Sequence, residues 1–188
     1  MRFFTPFFVF VSLFGKGGIF FLVLGTVLLL FKKTRSTGLS VLLAVGIGAL
    51  FTNVIIKNVV ARPRPYTVSD YHDMWVTAGS TLESEYSFPS GHTTVTMTSL
   101  TAVFLSCNKK WSWVGFIFVV LMGLSRMYLF VHYLTDVIGG IIVGGVSGTV
   151  AYFISREIFN LLRKRQDNHT IEVIINFDLL QAIKKRRK

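Results

Sequence analysis

The chain is poor in acidic residues and in sulfur. Of its 188 residues only nine are aspartate or glutamate, against 20 lysines and arginines, and a single cysteine, Cys107, lies just before a Lys-Lys pair. One cysteine excludes a disulfide framework and any cysteine-based metal spacing. Cys107 therefore reads as an ordinary small residue at a helix end. No glycine-rich nucleotide loop and no zinc-type spacing occur, so neither a metal nor a cofactor is expected. Charge of both signs is scarce, at 15% of residues against 52% hydrophobic, and the mean hydropathy is +0.58. That is a membrane composition and not the core of a soluble domain of this length. The formal charge of +11 would suggest nucleic acid in a soluble chain. Here the charges sit at the ends of apolar runs, so no nucleic-acid partner is expected, and nothing points to an obligate protein partner.

What is present is a series of apolar runs. Five are long enough to span, at about 17–31, 38–56, 89–106, 111–128 and 133–154. Residues 3–14 are too few to cross a hydrocarbon core of about 30 Å at about 1.5 Å per residue, so an interfacial or partly inserted segment is expected there. With no A-x-A-like cleavage site after it, it reads as retained. The expected architecture is an all-α, polytopic membrane bundle of five to six transmembrane or partly inserted helices. Residues 1–155 form the membrane-embedded domain and 156–188 a basic tail. The sizeable polar loop, 57–88, holds Pro63, Pro65, Gly79 and four of the nine acidic residues. Fourteen of the 20 basic residues follow the first, third and fifth spans, among them Lys32, Lys33, Arg35, Lys109 and Lys110. The positive-inside rule makes that side cytoplasmic, with the polar loop outside. The terminal KKRRK reads as a tail near anionic headgroups, and TIEVIINFDLLQAI as an amphipathic surface helix. Gly140-xxx-Gly144 reads as close helix packing.

Three polar clusters converge on the outward side: KNVVARPRP from Lys57, SFPSGHT from Ser87, and SRMYLFVHYLTD from Ser125. Charges near lipid are costly, about 2.5–3.5 kcal/mol each on insertion scales. Lys57, Arg64 and Arg126 together suit a tetrahedral phosphoryl group, a planar fork and a compact ammonium being complementary ways to hold its oxygens. PSGH opens a helix, with Pro89 in its first turn and Ser90 and Gly91 presenting a hydroxyl and an N–H where the helix dipole favours an anion. His132 and Asp136 are four apart, so on a helix the carboxylate can accept one imidazole N–H and leave the other nitrogen free. His72 in the outward loop and His169 on the cytoplasmic side are not assigned to the site. Tyr66, Tyr71 and Trp75 fit an interfacial aromatic belt.

These clusters resemble the signature of the type 2 phosphatidic acid phosphatase (PAP2) superfamily: K-x6-RP as Lys57-x6-Arg64-Pro65, PSGH as Pro89–His92, and SR-x5-H-x3-D as Ser125-Arg126-x5-His132-x3-Asp136. Arg62-Pro63 repeats the dipeptide out of register, so Arg62 is ranked as secondary. The resemblance implies a metal-independent phosphatase with a phosphohistidine intermediate. In it His132 attacks phosphorus, Asp136 orients His132, His92 is the acid and then the base, and Lys57, Arg64, Ser90, Gly91 and Arg126 bind the phosphoryl oxygens. The front end departs from six-span members in its short first segment, and that departure is not expected to touch the catalytic set.

A site at the outer boundary favours a phosphate carried on a lipid. The resemblance to small bacterial members implies a bacterial cytoplasmic-membrane enzyme acting on undecaprenyl diphosphate, with phosphatidylglycerophosphate, phosphatidate and lipid A phosphate as alternatives. Two readings from other classes are a lipid phosphotransferase, which needs an acceptor, and a non-catalytic phospholipid-binding or transport protein, which has no use for His92 or His132 over neutral isosteres.

Overall fold

In lipid a backbone must satisfy its own hydrogen bonds, which makes each apolar run of this chain a helix. A computed structural model describes residues 3–67, 69–78, 83, 86–165 and 168–186. Among these residues the chain is helical and without strands: α1 (Thr5–Leu13), α2 (Ile19–Leu29), α3 (Arg35–Ala49), α4 (Lys57–Val60), α5 (Ser69–Ala78), α6 (Gly91–Ser106), α7 (Lys109–Ser112), α8 (Gly115–Tyr128), α9 (Leu134–Lys164), α10 (His169–Asn176) and α11 (Leu179–Arg186). Four stretches of the described residues are long and apolar enough to cross a membrane: Thr5–Leu29, Arg35–Thr67, Lys109–Tyr128 and Leu134–Lys164. With the 16-residue α6 at their centre, they make a membrane-embedded bundle.

Residues 3–14, expected to be interfacial or partly inserted, run on into the next apolar run as one candidate span broken at Gly17 and Gly18. Gly17 and Gly18 adopt positive φ (58° and 69°), conformations with no penalty only for glycine. They stop α1 and restart the chain as α2. α1 lies along α8, through Phe8 on Tyr128 and Phe14 on Phe118, and α2 along α3. The apolar run continues across a kink that residue counting does not see.

α3, α6 and α9 form the interior. Gly140, Gly144 and Gly148 line up at four-residue spacing on the α9 face against α6, as the small-residue pattern predicts. A Cβ on Gly144 would stand 2.8 Å from the Thr94 carbonyl oxygen. The opposite face of α9 shows Ile142 (61% exposed) and Val146 (63%) to lipid. α6 is correspondingly small and polar. Thr94 donates to Ser90 O, Thr96 to His92 O, and Thr98 to Ala44 O on α3, whereas the buried hydroxyls of Ser99, Thr101 and Ser106 have no partner. Gly144→Leu is expected to push α9 off α6 and lose about 3 kcal/mol or more. Gly46→Ala, whose Cβ would meet nothing within 4 Å, is expected to hold or slightly raise stability. Thermal unfolding in detergent, read by tryptophan fluorescence, checks both.

Within the polar connection at 57–88 the described residues are partly helical and packed. It contains α5, and Tyr66 and Trp75 stack at 5.0 Å over Leu129 and Val131. Tyr66 is therefore buried beneath the site and not part of a lipid-facing belt. Gly79 lies outside the described residues. At the other end of the bundle α9 continues beyond 154 to Lys164, and α10 and α11 fold back onto the α2–α3 connection.

Candidate active site

Lys57, Arg62 and Arg64 reach the site through local breaks in helix geometry. α3 widens into a π-helical turn over Leu50–Ile56 before α4, a feature that often marks functional positions, and it turns Lys57 inward to 5% exposure. Ala61, in the left-handed region (φ 48°), ends α4. Pro63 and Pro65 then favour an extended Arg62 and Arg64, because the helical region is disfavoured for a residue before proline. Side chains two apart on an extended segment share a side, so Arg62 and Arg64 both face the site.

His132 and Asp136 are four apart, though not on one helix. His132 precedes α9, Tyr133 is the N-cap, and Asp136 stands in the first turn. Asp136 is fully buried. Its Oδ2 accepts the Tyr133 N–H at 2.9 Å and the Ser87 hydroxyl, and lies 3.4 Å from His132 Nδ1; its Oδ1 accepts from Arg62 Nη1 at 2.8 Å. The carboxylate also favours the positive end of the α9 dipole. On the far side of the imidazole, Arg64 Nη1 donates to His132 Nε2 at 3.3 Å and to Val131 O at 3.0 Å. An arginine cannot accept a proton bond, so Nε2 carries the lone pair and Nδ1 the hydrogen.

Two residues ranked low or not singled out in the sequence thus sit against Asp136. Arg62 is its ion-pair partner, and its guanidinium lies 3.9 Å from the Tyr133 ring centre. Ser87 donates to it. The signal for Arg62 was present in the repeated Arg-Pro, whose two copies an extended chain must point the same way.

His92 begins α6 one residue after Gly91, with Ser90 as N-cap and Pro89 just before the helix. Ser90 is fully buried and not presented to solvent: its hydroxyl accepts from Thr93 and its N–H donates to Asp136 O at 3.0 Å. A Cβ on Gly91 would lie 3.8 Å from Lys57 Nζ. His92 lies within electrostatic reach of Arg126, His132, Arg64 and Lys57. It lines a cavity of about 220 Å³ whose floor is Gly15, Gly17 and Gly18; a Cβ on Gly15 would come within 2.8 Å of the His92 ring. The short front end therefore does touch the catalytic set. Irregular backbone inside a membrane is tolerated where it lines such a cavity. A larger space of about 550 Å³ adjoins it, bordered by Lys57, Arg62, Arg64 and Tyr86.

Arg126 is 3% exposed. It donates to Ser12 Oγ of α1 and, at 2.5 Å, to Glu83 Oε1, while its Nε has no partner. Glu83 Oε2 lies 3.8 Å from Arg64, so one carboxylate bridges two arginines, as an oxyanion would. Burial works to raise the Glu83 carboxyl, but Arg126 and Arg64 outweigh it and hold the group ionised below its ordinary range. Tyr66 fixes the Glu83 backbone, its hydroxyl donating to Glu83 O at 2.7 Å. Nothing in the sequence singles out Glu83 or Ser12. His72, against Trp75 on α5, and His169, at the start of α10, stand outside the site.

Residues 37–159 match the PAP2 superfamily. The chain belongs to that superfamily. PAP2 relatives include the undecaprenyl-diphosphatase of Sulfolobus acidocaldarius, 34% identical over 72% of this chain and 63% of its own length. Undecaprenyl-diphosphatase BcrC of Bacillus subtilis is 33% identical over 70% of this chain and 64% of its own, and phosphatidylglycerophosphatase B of the same organism 33% identical over 65% and 59%. The chain thus spans less than two thirds of the length of these PAP2 relatives. Among solved structures, the transmembrane PAP2-type phosphatidylglycerolphosphate phosphatase of Bacillus subtilis superposes with a TM-score of 0.66 at 26% identity, over 84% of this chain and 79% of that one.

His132 lies in the connection between α8 and α9. Burial, reinforced by Arg64 and Arg126 and partly offset by Asp136, pushes its imidazole from 6.5 down to about 4. The unfolded chain takes up this proton first, so the group's contribution to stability is complete above about pH 6.5 and lost as the pH falls toward 4. Unfolding temperatures between pH 7 and pH 4 are expected to fall more steeply for the parent than for His132→Gln.

Proposed function

We propose that this protein is an integral-membrane lipid phosphatase that hydrolyses undecaprenyl diphosphate to undecaprenyl phosphate and inorganic phosphate. The observation that carries this reading is the setting of His132, with Nδ1 toward the buried Asp136 carboxylate and Nε2 against the Arg64 guanidinium. In the reaction the Nε2 lone pair forms a bond to the terminal phosphorus as the P–O bond to the lipid breaks, and His92 gives its proton to the departing oxygen. Lys57, Arg64, Arg126 and the Gly91 N–H hold the phosphoryl oxygens and offset their growing charge, with Ser90 shaping the helix end behind them. His92 then takes a proton from water, which attacks phosphorus and breaks the N–P bond. Asp136 keeps the proton of His132 on Nδ1 throughout. No step calls for a metal.

We further propose that the site faces outward across a bacterial cytoplasmic membrane and the basic end faces the cytoplasm. The charge distribution supports this, since Lys32, Lys33, Lys109, Lys110 and Arg163 gather at the end opposite His132. Residues 1–155 then form the catalytic body and 156–188 a cytoplasmic appendage.

The test is phosphate release by the purified chain in detergent with EDTA, from undecaprenyl diphosphate, phosphatidylglycerophosphate, phosphatidate and lipid A phosphate. The expected result is EDTA-resistant release, fastest from undecaprenyl diphosphate. A faster rate on one of the others reassigns the lipid. No release from any by a folded protein, or appearance of the phosphate on a lipid acceptor, overturns hydrolysis.

A further inference from the structure

At the end of the bundle opposite His132 lies a second polar cavity, of about 270 Å³, where the ends of α2, α3 and α9 meet the folded-back α10. Its charged lining is Lys32, Lys33, Arg35 and Arg163, with Ser36 and Asn176 as neutral hydrogen-bonding groups. No acidic residue lines it among the described residues.

The cavity is a built one. Arg35, 7% exposed, donates from Nε to Leu29 O at 3.0 Å, from Nη1 to Ile175 O at 2.8 Å, and to Phe177 O. It straps α10 against the α2–α3 connection. Lys32 Nζ donates to Asn176 Oδ1 at 2.8 Å. Asp178, a carboxylate beside this region, is turned to the N–H groups of Lys32, Leu180 and Gln181. Lys33 and Arg163 are exposed and form no ion pair among the described residues. The charge that Lys33 and Arg163 bring to the cavity is therefore unpaired among the described residues, while Arg35 lies within electrostatic reach of Asp178.

Its surroundings point to what compensates it. Phe159 and Ile175 give the cavity an apolar side. α10, which closes it, and α11, which follows, carry exposed Val173 (51%), Leu180 (58%) and Ile183 (44%), side chains that a water-facing tail does not need and an interfacial amphipathic helix does. Such helices lie at headgroup depth, and a basic pocket between helix ends at that depth matches a lipid phosphate.

We infer that this cavity binds the phosphate headgroup of an anionic membrane phospholipid, held by Lys33 and Arg163 with Lys32 and Asn176, its acyl chains lying along α9. The site is separate from the catalytic one and does not rest on the reaction proposed above.

The test uses the full chain in mild detergent. Thermal unfolding is followed on adding phosphatidylglycerol, phosphatidylcholine or inorganic phosphate, for the parent and for Lys33→Gln/Arg163→Gln. Phosphatidylglycerol is expected to raise the parent's midpoint on the order of 5 °C and phosphatidylcholine to leave it within error. The double variant is expected to lose that rise while its catalytic site stays intact, and Lys33→Arg/Arg163→Lys to regain it. Should the double variant fail to fold, Lys33→Gln alone, at an exposed position, must show a reduced shift. A full shift in the neutralised variant, or equal stabilisation by phosphatidylcholine, overturns the inference. An equal shift with inorganic phosphate reassigns the cavity to the free anion and overturns the lipid assignment.

Discussion

His132→Ala is expected to reduce phosphate release by on the order of 10⁴-fold or more, with the fold retained. In the proposed reaction the imidazole supplies the lone pair that forms the intermediate, and Arg64, the side chain seen at Nε2, is a cation that cannot replace it. The loss should fall in kcat. Arg64, Arg126 and Lys57 remain to bind the phosphate, so KM for the lipid is expected to change by less than about tenfold. Steady-state rates together with a binding measurement for a non-hydrolysable phosphonate separate the two. A variant that lost binding and turnover in parallel would show that His132 holds the headgroup and does not attack it.

Asp136→Asn carries the second large effect, for a different reason. The carboxylate accepts from the Tyr133 N–H, the Ser87 hydroxyl and Arg62, and faces His132 Nδ1. An amide has only one acceptor oxygen and would turn its NH₂ toward one of these groups. If it faces the imidazole, the proton moves to Nε2 and the nucleophile is lost. A loss of about 10³–10⁴-fold in kcat is expected. Asp136→Ala should in addition leave Arg62 unpaired and the donors of Ser87 and Tyr133 unsatisfied, costing on the order of 3–5 kcal/mol of stability. The contrast between an Asn variant that unfolds near the parent temperature and an Ala variant that does not is the signature of a carboxylate with both an orienting and a structural duty.

Much of this site was legible in the sequence because lipid makes polarity conspicuous. Lys57, Arg64, His92, Arg126, His132 and Asp136 interrupt apolar runs where a solvated protein would bury such signals among many charges. The packing stripe Gly140–Gly144–Gly148 was legible in part for the same reason, being the small face of an otherwise bulky helix. What stayed hidden were partners fixed by long-range closure. Ser12 meets Arg126 across 114 residues, and Glu83 reaches the same arginine from a connection without periodicity. The break at Gly17–Gly18 was hidden differently, since hydropathy runs on through Thr5–Leu29 while the dihedral angles do not. Asp136 and His132 show a subtler failure. The four-residue spacing gave the right pair for a helical reason, whereas the contact is made across an N-cap.

The bridge formed by Glu83 has a consequence for how turnover ends. Four cations, Lys57, Arg62, Arg64 and Arg126, stand in this site against two carboxylates, Glu83 and Asp136. The surplus of two positive charges is matched by a phosphate dianion, which is the inorganic product as well as the group on the lipid. In the proposed reaction the inorganic product would then be as well matched electrostatically as the substrate, without a lipid tail to draw it away. Glu83, which stands between Arg64 and Arg126, would in that reaction compete with the product anion for the same two guanidiniums, and inorganic phosphate is expected to slow turnover.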